Sequence, residues 1–189
     1  MSDTREVIVL QDGVRVDEVL AIAAEQGWEL REQTTRAHLV LASRRWITRD
    51  GLDVTHVADH PGGAQSLRIE GKRAGSLARR LRERLATHSE SELLAAVLAA
   101  PSPDPVVCIR VASKLAACRP RQMAPRHLQA LERLLSHPVV AVRRAGIRSA
   151  YTCRWPQLRE IVGRRLVVED RLSAQLRHLQ QYLVDAYPG

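Results

Sequence analysis

The stretch Asp104-Pro105-Val106-Val107-Cys108-Ile109-Arg110-Val111-Ala112 lies over His137-Pro138-Val139-Val140-Ala141-Val142-Arg143-Arg144-Ala145 at an offset of 33 residues. Pro, Val, Val, Arg and Ala coincide, and Ile109 faces Val142. The same offset sets Leu128–Leu135 (LQALERLL) against Ile161–Val168 (IVGRRLVV). A period of this size reads as two helices per unit: one pair cannot bury its own apolar face, and stacked neighbours complete a continuous core. Pro125 and Pro156 are predicted to begin the second helix of successive units, because proline is favoured in a first turn. A third, degenerate unit starts near Asp170 (DRLSAQLRHLQQYL), as an end cap should.

Working back from the repeat, Ser89 and Glu92 form a capping-box pattern that opens a helix over Glu90–Ala100. Pro101-Ser102-Pro103-Asp104-Pro105 stops it and starts the next, with Asp104 as N-cap and Pro105 at the first helical position. Upstream, Lys72–Leu85 places Leu77, Leu81 and Leu85 on one helical stripe with arginines around the remainder. Such a helix either packs its leucines on a neighbouring layer or presents a basic amphipathic surface to a membrane, nucleic acid or partner. Residues 72–88 read as a basic connecting helix.

Residues 1–71 change character. Glu6–Leu10 (EVIVL) is a β-branched run closed by the Asp12-Gly13 turn signal, and Val16, Val19, Leu20, Ala23 and Ala24 form a helical stripe ended by Gly27. Trp28–Arg31, Ala37–Ser43, Arg45–Thr48, Leu52–Ala58 and Ser66–Glu70 follow as extended segments. The alternation in Leu52-Asp53-Val54-Thr55-His56-Val57 marks a half-buried antiparallel strand. The chain is thus expected to be α+β. A small antiparallel sheet with one helix packed on it precedes an all-α array of two to three helix pairs over residues 89–189.

Charge supports two modules. Residues 1–71 carry 8 Arg and 12 Asp+Glu, a net of −4, whereas residues 72–189 carry 21 Lys+Arg and 9 Asp+Glu, a net of +12. A basic module attracts an acidic protein or a polyanion. Lys72 and Lys114 apart, the positive charge is arginine, which suits bidentate carboxylate or phosphate contacts and is also favoured by a GC-rich coding genome. Three cysteines suit a reducing, cytoplasmic setting better than a disulfide framework. The longest apolar run, Leu93–Ala100, is too short to span a bilayer, and MSDTREVIVL lacks a signal-peptide layout.

Ser136-His137-Pro138 followed by Val142-Arg143-Arg144-Ala145-Gly146-Ile147-Arg148-Ser149-Ala150 resembles bacterial HEAT repeats of the phycobilisome-lyase-like type, and Ser102-Pro103-Asp104-Pro105 with Ile109, Arg110 and Ala112 is a second match. The resemblance covers roughly residues 89–189 and implies a HEAT-like solenoid. The family pattern places an Asp-Pro turn before a Val-Arg-x-x-Ala helix, so His137 in place of the aspartate predicts a weaker N-cap. The resemblance also implies that Arg110 and Arg143 brace adjacent repeats. HEAT arrays are mostly scaffolds, so the implied role is binding.

Candidate chemistry is sparse. Asp53, His56, Asp59 and His60 cluster, but on a strand His56 and His60 stand about 13 Å apart, too far to chelate together; they read as a polar strand and turn. Pro61-Gly62-Gly63 lacks the lysine and spacing of a phosphate loop. Cys108, Cys118 and Cys153 read as small buried hydrophobes, and His127 and His178 as surface or cap residues. No catalytic motif, metal set or cofactor fingerprint is present in the sequence. Arg110, Arg143, Arg144, Arg148, Arg164, Arg165, Arg171 and Arg177 suggest a basic ridge on an inner face. Some HEAT-like bacterial DNA glycosylases hold DNA on such a surface. That resemblance also calls for a catalytic carboxylate beside aromatics, and only Trp155, Tyr151, Glu160 and Asp170 lie in the right region.

The expectation is a non-catalytic adaptor that presents Arg143, Arg144, Arg148, Arg164 and Arg165 to an acidic protein, with Trp155 as an aromatic anchor. The alternative is nucleic-acid binding through the same arginines. The 3% aromatic content, with no Phe, disfavours stacking on single-stranded bases.

Overall fold

The computed structural model describes residues 4–35, 41–59, 63–99, 104–118, 124–169 and 171–187. His60, Pro61, Gly62 and Asp170 lie outside them. The chain divides into two compact units, Met1–Ser89 and Glu90–Gly189. Among the described residues no helix is long and apolar enough to cross a membrane.

The first unit is built on six antiparallel strands: β1 (Arg5–Leu10), β2 (Glu29–Thr35), β3 (Leu41–Ile47), β4 (Asp53–Asp59), β5 (Ala64–Glu70) and β6 (Thr87–His88). Their spatial order is β2-β3-β4-β5-β1-β6. Period-2 alternation sets the faces. Ile8 pairs with Leu67, Trp46 with Val54 and Val54 with Ile69, and all of these are buried. Between them Asp53 turns outward and meets Arg45 at 2.6 Å. At the free edge, β2 carries a register irregularity between Leu30 and Glu32, and its residues Glu29–Gln33 are exposed.

Two helices, rather than the single one expected, cover the inner face. Helix α1 (Val16–Glu25) ends at Gly27, whose φ of 63° is the left-handed conformation that a Cβ disfavours. Helix α2 (Ala74–Arg84) buries Leu77 and Leu81, with Leu85 just beyond, among Ile8, Leu10 and Ile69. The helix read as a connector therefore belongs to this unit, and its arginines pair inside it: Arg82 with Glu6 at 3.4 Å and Arg84 with Glu25 at 2.6 Å. Redrawn at Ser89/Glu90, the first unit carries 14 Lys+Arg and 13 Asp+Glu, a net of +1, and the second 15 and 8, a net of +7. The acidic character of residues 1–71 is thus offset by α2.

His56, on β4, points inward and is fully buried. Its Nε2 lies 3.1 Å from Gln65 Oε1, and Gln65 in turn donates to the Val14 carbonyl at 3.1 Å. Burial lowers its pKa below the ordinary imidazole value, outweighing the Gln65 hydrogen bond, and the nearby Arg44 adds to the lowering.

The second unit comprises α3 (Glu90–Leu98), α4 (Pro105–Cys118), α5 (Pro125–Leu135), α6 (Val140–Cys153), α7 (Leu158–Val168) and α8 (Ser173–Ala186). Helices α4, α6 and α8 pack as one row, α3, α5 and α7 as a second, and the contacts of α3 with α4, α4 with α5, α5 with α6 and α7 with α8 join the rows. Asp104 caps α4 as expected, its Oδ1 accepting from the Val106 amide at 2.7 Å. His137, 33 residues on, holds the equivalent bond: its Nδ1 accepts from the Val139 amide at 3.1 Å. Helix α6 itself starts at Val140, with Val139 as N-cap and no side-chain cap bond, so the imidazole bond lies just ahead of the helix and does not cap it as Asp104 caps α4. Helix α7 starts two residues after Pro156, and α3 ends at Leu98. Cys108 and Cys153 are buried and Cys118 half-buried, and none of the three is in a disulfide.

His127 is a correction to the surface reading. It is 2% exposed on α5, stands edge-on to Trp155 at a ring separation of 5.8 Å, and lies 3.7 Å from Glu90. Burial lowers its pKa, opposed by the Glu90 carboxylate. Close packing of α5 on α6 depends on Gly146, where a Cβ would meet Leu134 Cβ at 3.0 Å and its carbonyl carbon at 3.1 Å.

Two predictions follow from this packing. Gly146→Ala should destabilise the second unit by about 1–3 kcal/mol through overpacking. Gly163→Ala on α7, whose new methyl would meet only the Gln180 side chain at 3.5 Å, should be neutral or stabilise by up to about 1 kcal/mol. Urea unfolding of the two variants checks the difference. Because His56 and His127 both have lowered pKa values, the unfolded chain takes up protons before the folded one does. Stability should therefore be complete above the ordinary imidazole value of 6.5 and fall as pH drops through it. Melting temperatures from pH 8 to 5.5 should decline, and His56→Gln combined with His127→Gln should flatten the profile.

Candidate functional site

The predicted arginines separate into two classes once their partners are known. Arg143, 11% exposed at its side chain, reaches Glu169, whose side chain is 2% exposed. Its Nη2 donates to Glu169 Oε1 at 3.1 Å, while Nη1 donates to the carbonyls of His137 and Pro138 at 2.9 and 2.8 Å. Arg165 approaches the other Glu169 oxygen at 3.4 Å, and the amides of Arg171 and Leu172 donate to Oε1 at 3.1 and 3.2 Å. Burial alone would raise the Glu169 pKa. The Arg143 hydrogen bond, the Leu172 amide and the Arg143 charge outweigh it and hold the carboxyl below its ordinary value. Arg164 is exposed but bridges Glu132 on α5, at 2.7 Å, to Glu160 on its own helix. Three of the five predicted contact arginines are therefore engaged within the unit. They also do not form one ridge, since Arg164 and Arg165 sit on α7 and the others on α6, in different rows.

Arg144 and Arg148 are different. Both are exposed on α6, and neither guanidinium forms an ion pair or a hydrogen bond with the described residues. They border an open groove of about 590 Å³ between α6 and α8. From α6 the groove takes Arg144, Ile147, Arg148 and Tyr151; from α8 it takes Ala174, Gln175 and His178. Ile147 is 4% exposed and forms apolar ground between the two cations.

At one end the wall is aromatic. Tyr151 Oη lies 2.6 Å from His178 Nδ1, and the Tyr151 ring stands 5.4 Å from that of Tyr182. Burial, and secondarily Tyr182, pushes the Tyr151 phenol above its ordinary pKa, so it stays a neutral hydroxyl hydrogen-bonded to the imidazole. Arg154 stacks over Tyr182 at 5.4 Å from a left-handed backbone (φ 55°, ψ 37°), and its carbonyl accepts from the Tyr187 hydroxyl. Non-glycine residues adopt that conformation at a cost of about 1 kcal/mol or more.

Trp155 is not a surface anchor. It is 6% exposed and fills space against His127. Asp53 and His56, read together in the sequence, point to opposite faces of the sheet. Among the described residues no group of three or more His, Cys, Asp or Glu is placed to hold a metal ion. Sequence reasoning missed the α8 side of the groove. Its signal was the stripe Leu172, Leu176, Leu179 and Leu183, which buries one face and leaves Ala174, Gln175 and His178 outside it. In comparison with known proteins, no family model, no characterised protein and no solved structure matches the chain.

The two classes of arginine should respond oppositely to neutral substitution. Arg143→Met strands a buried carboxylate and should destabilise the helical unit by about 3–5 kcal/mol. Arg144→Met should change stability by less than about 0.5 kcal/mol. Denaturant midpoints at constant slope measure both.

Proposed function

We propose that this chain is a non-catalytic adaptor whose helical unit, a HEAT-like stack of helix pairs, binds an acidic protein partner. The observation that carries this reading is the pair of guanidinium groups on Arg144 and Arg148, unpaired among the described residues, beside a groove with an apolar floor, in a unit of net charge +7. Arginine without an internal partner, next to buried apolar ground, is the composition of a protein-recognition surface. The 33-residue period and the two rows of helices support the HEAT-like assignment. Cysteines not paired into disulfides fit a cytoplasmic setting.

Nucleic-acid binding draws on the same two arginines. Its support is those two arginines and the net charge, since Arg143, Arg164 and Arg165 are committed to carboxylates. A titration by fluorescence anisotropy separates the readings. Fluorescein-labelled poly-L-glutamate should bind the full chain and weaken at least tenfold in the Arg144→Ala, Arg148→Ala double variant, with little change in Arg164→Ala. A 20-base-pair duplex bound more tightly than poly-L-glutamate, with a steep salt dependence, would overturn the adaptor reading.

A further inference from the structure

Resting on the adaptor reading, we infer that the α6/α8 groove takes an amphipathic acidic helix. The helix would present two carboxylates one turn apart to Arg144 and Arg148, and an apolar side chain between them to the floor at Ile147. The geometry of α6 sets the spacing. Arg144 and Arg148 are four residues apart on one helix face, about 6 Å along the axis. Carboxylates at i and i+4 of a partner helix repeat that spacing, so a helix lying along α6 at a shallow angle satisfies both guanidinium groups in one register. An extended acidic segment rises about 3.3 Å per residue and turns successive side chains to opposite sides. It would meet the two arginines with residues two apart and would leave the floor to a backbone.

The floor argues for an apolar anchor between the charges. Ile147 lies between Arg144 and Arg148 in sequence, is 4% exposed, and lines the groove with Ala174 and the Tyr151 ring. A groove bounded by cations and floored with aliphatic and aromatic carbon is matched by the i, i+3, i+4 anchors of a bound helix. Sugar-phosphate backbone supplies the charge and not the anchor. The α8 wall adds polar hydrogen-bonding groups: Gln175, and His178 held by the Tyr151 hydroxyl. No carboxylate of this chain lines the groove among the described residues, so nothing there repels an incoming acid. Arg154 extends the positive surface past the end of α6, pinned over Tyr182.

The test uses the full chain and three fluorescein-labelled 18-residue peptides. One is helical, with Glu at i and i+4 and Leu at i+3. The second replaces the Leu with Ser. The third keeps the composition but carries a central Pro that breaks the helix. The intact peptide should bind at least tenfold more tightly than either control. Arg144→Ala and Arg148→Ala should each weaken it several-fold. Ala174→Glu, which puts a carboxylate into the groove from an exposed position on α8, should weaken it at least tenfold with unchanged circular dichroism. Should Ala174→Glu lower the melting temperature, the exposed Arg148→Ala variant carries the same comparison. Equal binding of all three peptides, with the arginine dependence kept, would overturn the helix inference and leave the adaptor reading standing. Failure of both the peptides and poly-L-glutamate to bind would overturn both.

Discussion

A single buried carboxylate, Glu169, ties three helices of the second unit together. A carboxylate removed from water needs opposite charge and hydrogen-bond donors around both oxygens. Glu169 draws them from Arg143 on α6, Arg165 on α7, and the two amides that lead into α8. Arg143 also grips the carbonyls of His137 and Pro138, so it fastens the start of its own helix to the start of α8. The arrangement fixes where α8 begins relative to α6, and therefore the shape of the channel between them. It also decides which cations remain for other purposes.

The same logic operates at lower stakes elsewhere in the chain. Asp104 and His137 use unlike chemistry, a carboxylate oxygen and an imidazole nitrogen, to accept from the amide two residues on. Arg133 closes the end of α3 by donating to the Leu98 and Ala99 carbonyls. In the first unit, Arg82 and Arg84 find Glu6 and Glu25. Internal carboxylates and carbonyls engage many of the cationic side chains, so a formal net charge of +8 does not by itself say which of them remain for a partner.

Repetition and periodicity made the α+β composition and the approximate extent of the helices legible. Leu77, Leu81 and Leu85 mark a face that must be buried, and Asp104-Pro105 marks a helix start that needs no distant partner. Local rules decide both. The site was legible only in part. Arg143 and Arg144 are neighbours in sequence but point about 100° apart on a helix, and which one is engaged depends on Glu169, 26 positions later. Trp155 and His127 show the same limit. Each reads as a surface residue alone, and each is buried by the other across 28 positions. The groove demanded knowledge of α8, where the 33-residue period is degenerate and gives no phase.

The outer strand of the sheet has a consequence for the behaviour of the whole chain at high concentration. β2 offers unpaired backbone along its free side, the usual template for uncontrolled strand addition. Its residues Glu29, Arg31 and Glu32 put charge along that margin, and the irregularity between Leu30 and Glu32 breaks the even spacing that an incoming strand would have to match. The outer strand thus carries two of the features, charge and broken register, that discourage a second chain from adding to an open sheet edge.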